Sequence, residues 1–130
     1  MKLPDSLAAL ESVHVVKMRS DRLILDVAEQ RAWCSCFPQG VCIAMDTGLT
    51  VSDVDWLQRV CLWFASVPTC VNDSLLVESE RLFLLRLNRT TFSTQEWEAS
   101  LSKQQDIADW LIRFGEKSGI LLHPHSGALR

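Results

Sequence analysis

Apolar and polar positions change their period several times along the chain, and each change marks a boundary between elements. Leu7 and Leu10 fall on one side of a short helix predicted from Asp5 to Glu11. Two helical turns are marginal in isolation, so this piece must lean on another element. From Val13 onward the period becomes two. Val13 to Met18 is rich in β-branched residues, and Leu23, Leu25 and Val27 alternate with Ile24, Asp26 and Ala28, with Ser20-Asp21-Arg22 as the turn between two strands. A third strand fits Arg31 to Phe37, closed by Pro38-Gln39-Gly40, and a fourth fits Val41 to Met45, closed by Asp46-Thr47-Gly48. Connections this short allow antiparallel hairpins and exclude crossovers.

The period then lengthens. Ser52 followed by Asp53 and Asp55 predicts a helix start, with the hydroxyl accepting from a free backbone N–H and the carboxylates facing the positive end of the dipole. This helix should run to Ser66, before Pro68. Leu75 to Glu78 and Leu82 to Leu87 predict a hairpin around Ser79-Glu80-Arg81. The clearest local signal follows: Ser93 and Glu96 form a capping box, Phe92 and Trp97 a hydrophobic staple, and the helix they open is predicted over Thr94 to Lys117. Trp97, Leu101, Ala108, Leu111 and Ile112 share one face of it, and Gly119 with Ile120 supplies a left-handed stop. The fold class is therefore α+β: an antiparallel sheet of about five or six strands with two long helices and a short first one, in the order α-β-β-β(-β)-α-β-β-α. Residues 1–120 are expected to form one domain, and 121–130 a loose tail in which His123 and His125 flank Pro124.

The helix over Asp53 to Ser66 is unusual. At about 100° per residue, Val54, Leu57, Cys61 and Phe64 occupy one flank while Trp56, Val60, Trp63 and Val67 occupy the next. Asp55, Gln58, Arg59 and Ser66 are left for water. The apolar arc is about 200° wide, twice the stripe that covers one sheet. One flank needs a second surface, and a dimer with Trp56, Val60, Trp63 and Val67 at its interface is the expectation, since aromatic residues dominate interface cores.

Composition and charge then remove function classes. Apolar residues make up 48% of the 130, which excludes intrinsic disorder. The net charge is -3 and no five-residue window is predominantly basic, which argues against nucleic acid as a partner. The apolar run Val60 to Val67 is far shorter than the roughly twenty residues needed to cross a bilayer, and Met1 to Glu11 lacks the apolar stretch of a signal peptide, so no membrane insertion is expected. Five cysteines without an export signal point to free thiols in a reducing cytoplasm.

Chemistry-bearing residues are sparse. Cys34 and Cys36 point to one face of a strand and Cys42 lies on the next, but zinc sites usually need a second close pair, which His123 and His125 would have to supply. The bland reading is that these thiols are small core hydrophobes. His14 sits in an apolar strand, where a structural, hydrogen-bonded role is expected. Cys61 lies inside a helix and Cys70 has no neighbouring base, and no phosphate-binding glycine loop or nucleophile elbow occurs. Asp106 and Asp109 fall on the solvated side of the last helix. No enzyme activity, cofactor or metal is expected.

The order of elements, together with Leu75-Leu76-Val77-Glu78-Ser79-Glu80-Arg81-Leu82-Phe83-Leu84-Leu85-Arg86-Leu87 and the capped helix carrying Ile107-Ala108-Asp109-Trp110-Leu111, resembles the class I chaperones of bacterial type III secretion. The resemblance implies a cytoplasmic dimer serving virulence. It would hold an extended N-proximal segment of a secreted effector or gatekeeper protein, keeping it soluble and export-competent without nucleotide. It also implies dimerisation through the middle helix and client contacts on the sheet and first helix. The corresponding candidates are Leu7, Leu10, Val15, Leu25 and Val27. The family's first helix is normally longer than Asp5 to Glu11, which leaves room for a heterodimer with a related chaperone subunit. A structural or adaptor subunit of a larger bacterial assembly is the alternative, with a small thiol or metal enzyme behind it.

Overall fold

The computed structural model describes residues 2–70 and 72–117. The tail over 121–130, with His123 and His125, and the stop at Gly119 lie outside the described residues. The elements are α1 (Asp5–Ala8), β1 (Val13–Arg19), β2 (Arg22–Val27), β3 (Gln30–Phe37), β4 (Gly40–Thr50), α2 (Val54–Ser66), a 3-10 turn (Pro68–Cys70), β5 (Asp73–Glu78), β6 (Arg81–Asn88) and α3 (Thr94–Lys117). The six strands form one antiparallel sheet in the order β1-β2-β3-β4-β6-β5. This is the α+β class expected, with β1 and β5 as its two edges.

Strand pairing fixes which side chains share a face. Leu25 pairs with Ala32, Ala32 with Met45, and Met45 with Leu84, so the inward alternates of β2, β3, β4 and β6 align on one side. On that side α1 and the first half of α3 cover β2, β3 and β4, through Leu7, Leu10, Trp97 and Leu101. α2 and the second half of α3 cover β4 and β6, through Trp56, Val60, Phe64, Ala108 and Leu111. All three helices therefore lie on one face. The opposite face carries Ile24, Trp33, Ala44, Phe83, Leu85 and Leu76, and among the described residues no helix lies over it.

Buried polar groups tie α3 to the sheet. Gln104, fully buried, donates from Nε2 to the carbonyls of Ile43 and Leu84, both at 2.9 Å, so it bridges β4 and β6. Gln105 Nε2 donates to the Val27 carbonyl at 3.0 Å, and Ser100 Oγ donates to Asn88 Oδ1. The capping box forms as expected: the Ser93 N–H donates to Glu96 Oε1 at 3.0 Å and the Glu96 N–H to Ser93 Oγ at 3.1 Å. Phe92 meets Trp97 edge to face at 5.4 Å. Ser6 Oγ donates to the Phe92 carbonyl at 2.7 Å, which docks α1 against the start of α3.

Several boundaries differ from the sequence expectation. α1 is one turn, ending at Ala8 instead of Glu11, and Leu10 is carried inward by the turn that follows it. The cap of α2 is Asp53 and not Ser52: its Oδ1 accepts from the backbone N–H groups of Asp55 and Trp56. Asp46-Thr47-Gly48 does not close β4. It forms an irregularity inside a longer strand, where Asp46 Oδ1 accepts from the Gly48 N–H and Thr47 Oγ1 donates to the Leu82 carbonyl, so local side-chain bonds satisfy the backbone while the strand runs on to Thr50.

Two hairpin turns hold positive φ at both central residues without glycine. Ala28 and Glu29 connect β2 to β3 with φ of 48° and 71°, and Ser79 and Glu80 connect β5 to β6 with φ of 52° and 67°. Positive φ at both central residues suits the twist of the flanking strands but strains residues that bear a Cβ. Ser79→Asn with Glu80→Gly is therefore expected to raise stability by about 1 kcal/mol, read as a higher urea midpoint at unchanged slope. An unchanged or lower midpoint would show that the turn is not strained.

Candidate binding surfaces

The candidate client residues separate into two groups. Leu7, Leu10, Leu25 and Val27 are buried with the first core cluster, so four of the five are interior packing and not a surface in this chain. The alternation of Leu25 and Val27 identified a strand correctly, but the helices lie over that very face. Val15 is 53% exposed. It pairs with Leu25 and so sits on the helix side of the sheet, yet on an edge strand of which only Val13 is buried in the cluster beneath the helices.

Val15 has neighbours that the alternation did not single out. A bulge between Val15 and Lys17 puts Val16 out of register, and both Val16 and Met18 are about half exposed. His14, Lys17 and Arg19 are exposed on the same strand, so β1 offers an apolar strip flanked by cations. His14 is thus an exposed residue, where a structural, hydrogen-bonded histidine was expected. The signal that could have found this strip was positional: a β-branched run at the outermost strand of a sheet lies beyond short covering helices.

The expected dimer residues also turn inward. Trp56 and Val60 are buried in the second core cluster, and Trp63 and Val67 are half-buried against it. Trp63 stacks on Trp110 with centroids 4.1 Å apart, Trp110 on Phe114 at 5.1 Å, and Phe114 on Trp56 at 5.8 Å. The second wall that α2 requires is therefore the aromatic end of α3. What remains outside is Val54 and Cys61 at the margin of the arc, together with Leu62, which lies between Gln58 and Asp55 on the water side and is 71% exposed. Phe64 and Leu57 of the flank without tryptophan also pack into the second cluster, so most of the wide arc is covered within the chain.

Among the described residues, three ion pairs join partly buried groups across the sheet. Asp73, its side chain fully buried, meets Arg86 Nη1 at 3.3 Å, and burial pushes its carboxyl up while Arg86 and Lys103 pull it back. Arg81 Nη1 meets Asp46 Oδ2 at 2.7 Å. Arg22 grips Glu78 with both nitrogens, at 2.8 and 2.9 Å, and holds its carboxyl below the ordinary range. A cleft of about 760 Å³ between α3 and the β2–β3 turn is lined by Glu29, Arg31, Asp46, Arg81, Asp106 and Asp109, among others, and no His or Cys lines it.

The thiols behave as packing groups. Cys34 is buried and Cys36 packs on the same cluster, and burial first, then the nearby Cys36, drives the Cys34 thiol well above its usual range. Cys42 pairs with Ser35 and so projects from the opposite face to Cys34 and Cys36. The three thiols do not converge on one point, as the sequence alone allowed. Among the described residues no helix is long and apolar enough to cross a membrane. No protein-family model matches the chain, and neither does any curated protein.

Proposed function

We propose that this chain is a non-enzymatic binding protein that holds an extended segment of a client and keeps it unfolded for export, in the manner of a class I type III secretion chaperone. The observation that carries the reading is the strip on β1, where Val15, Val16 and Met18 stand exposed beside Lys17 and Arg19 on a free sheet edge. Exposed strand edges with apolar side chains are a liability unless something binds them. The bulge at Val16 interrupts the ladder, so side-chain packing on the strip, more than continuous strand addition, would hold the client. The cations would favour acidic residues in the client segment.

Self-association belongs to the same proposal. Val54 and Leu62 on the outward flank of α2 would meet a second copy or a related subunit, in place of the tryptophans. A bacterial cytoplasm fits Cys34, Cys36, Cys42 and Cys61, which stand as thiols.

The test is co-purification from the native host with the wild-type chain and with Val15→Asp/Met18→Asp. Because both positions are exposed, the double variant should keep its melting temperature within a few degrees and lose the bound segment. Capture at wild-type level would overturn the assignment of the strip. Recovery of a folded, permanently stoichiometric partner would overturn the chaperone reading in favour of an assembly subunit.

A further inference from the structure

The helix-free face of the sheet is closed by its own side chains. Arg22 on β2 and Glu78 on β5 both project from that face, and three strands lie between theirs. Four strand spacings make roughly 19 Å in a flat sheet, more than the two side chains span end to end. Arg22 lies at the start of β2 and Glu78 at the end of β5, beyond the diagonal from Trp33 through Phe83. Sheet twist brings diagonal corners together on one face, and here they meet in a two-pronged ion pair at 2.8 and 2.9 Å.

The pair covers something. The Arg22 guanidinium lies 3.9 Å from the centre of the Trp33 ring, and Trp33 meets Phe83 across β4 at 6.3 Å. Beneath them Ala44 is fully buried and Trp33 is 8% exposed, on a face where no helix among the described residues supplies the cover. The Trp33 Nε1–H is buried and has no hydrogen-bond partner among the described residues. That group would gain a partner from water if the cover lifted, so the closed arrangement carries an opposing cost.

We propose that the Arg22–Glu78 pair is a salt-sensitive latch that holds the helix-free face curled shut over Trp33, and that its release exposes one apolar surface running from Ile24 and Trp33 to Phe83 and Leu85. The two charged side chains are 32% and 41% exposed, so dissolved ions reach the pair, and at 1 M salt the screening length falls to about 3 Å. The latch is accordingly shallow. The unpartnered indole N–H leans it toward opening, while the fork and the ring contact lean it toward closing. This device is separate from the client strip on β1 and stands whether or not that reading holds.

The test follows the indole N–H signal of Trp33 by nuclear magnetic resonance, assigned with Trp33→Phe. In the wild-type chain, raising salt from low to molar concentration should speed exchange of this proton with water by about two- to fivefold, while the Trp56 and Trp97 signals stay slow. Glu78→Gln should show the fast exchange already at low salt and lose the salt response. Arg22→Lys, which keeps the charge and loses the fork, should fall between them. Trp33 exchange that ignores both salt and Glu78→Gln would overturn the latch. Equal acceleration of all three indoles would also overturn it, since that is general loosening. The salt titration uses the unaltered protein and decides the matter even if a variant folds poorly.

Discussion

Replacing Leu7 and Leu10 together with aspartate is expected to unfold the domain. Leu7 is completely buried and Leu10 nearly so, packed in one cluster with Leu25, Val27, Trp97 and Leu101. Each aspartate would remove a buried isobutyl group, which alone costs about 2–5 kcal/mol, and add a carboxylate with no partner in an apolar site. The sum matches the whole stability of a typical domain, about 5–15 kcal/mol. Circular dichroism should show no cooperative melt. A melt close to that of the wild type would mean that α1 is a peripheral element and that its leucines belong to a surface after all.

The two sides of α2 should respond in opposite ways. Trp56→Ala removes a fully buried ring that stacks on Phe114 at 5.8 Å and 29°, and is expected to cost about 3–5 kcal/mol. Leu62→Asp, about 240° further round the helix and facing out, should leave the stability within about 0.5 kcal/mol of wild type. If the outward flank joins two copies, sedimentation of Leu62→Asp should show monomers where the wild type shows dimers. A loss of stability from Leu62→Asp as large as that from Trp56→Ala would show that α2 is rotated from the orientation described.

The element order and type were legible in the sequence because local chemistry signals them. Alternating Leu23, Leu25 and Val27 wrote a strand, and Ser93 with Glu96 wrote a helix start that the hydrogen bonds reproduce. Which face of an amphipathic element turns inward was harder. On α2 the residues of both flanks are apolar, and the decision rests on Trp110 and Phe114, some fifty residues further along the chain. The same limit applies to Val15 and Leu25. They are cross-strand partners on one face, yet one is exposed and the other buried because the helices stop between them. Pairwise order along the chain does not tell where the covering layer ends. Asp46-Thr47-Gly48 misled for a different reason, since turn-forming residues serve a bulge as well as a turn.

The pairing of β4 with β6 also governs how a growing chain can assemble on the ribosome. β1 to β4 are joined by short hairpins and can pair as they emerge, but the far edge of β4 must wait until α2 and the β5–β6 hairpin have been made. During that interval Val41, Ile43 and Met45 border an unpaired backbone on a strand that ends up in the middle of the sheet. α3 follows both strands in the chain and carries Gln104, which bonds β4 and β6 at once, so the seam is fastened only after both of its strands have been made. A chain stopped anywhere before Asn88 leaves that edge open to any other strand it meets.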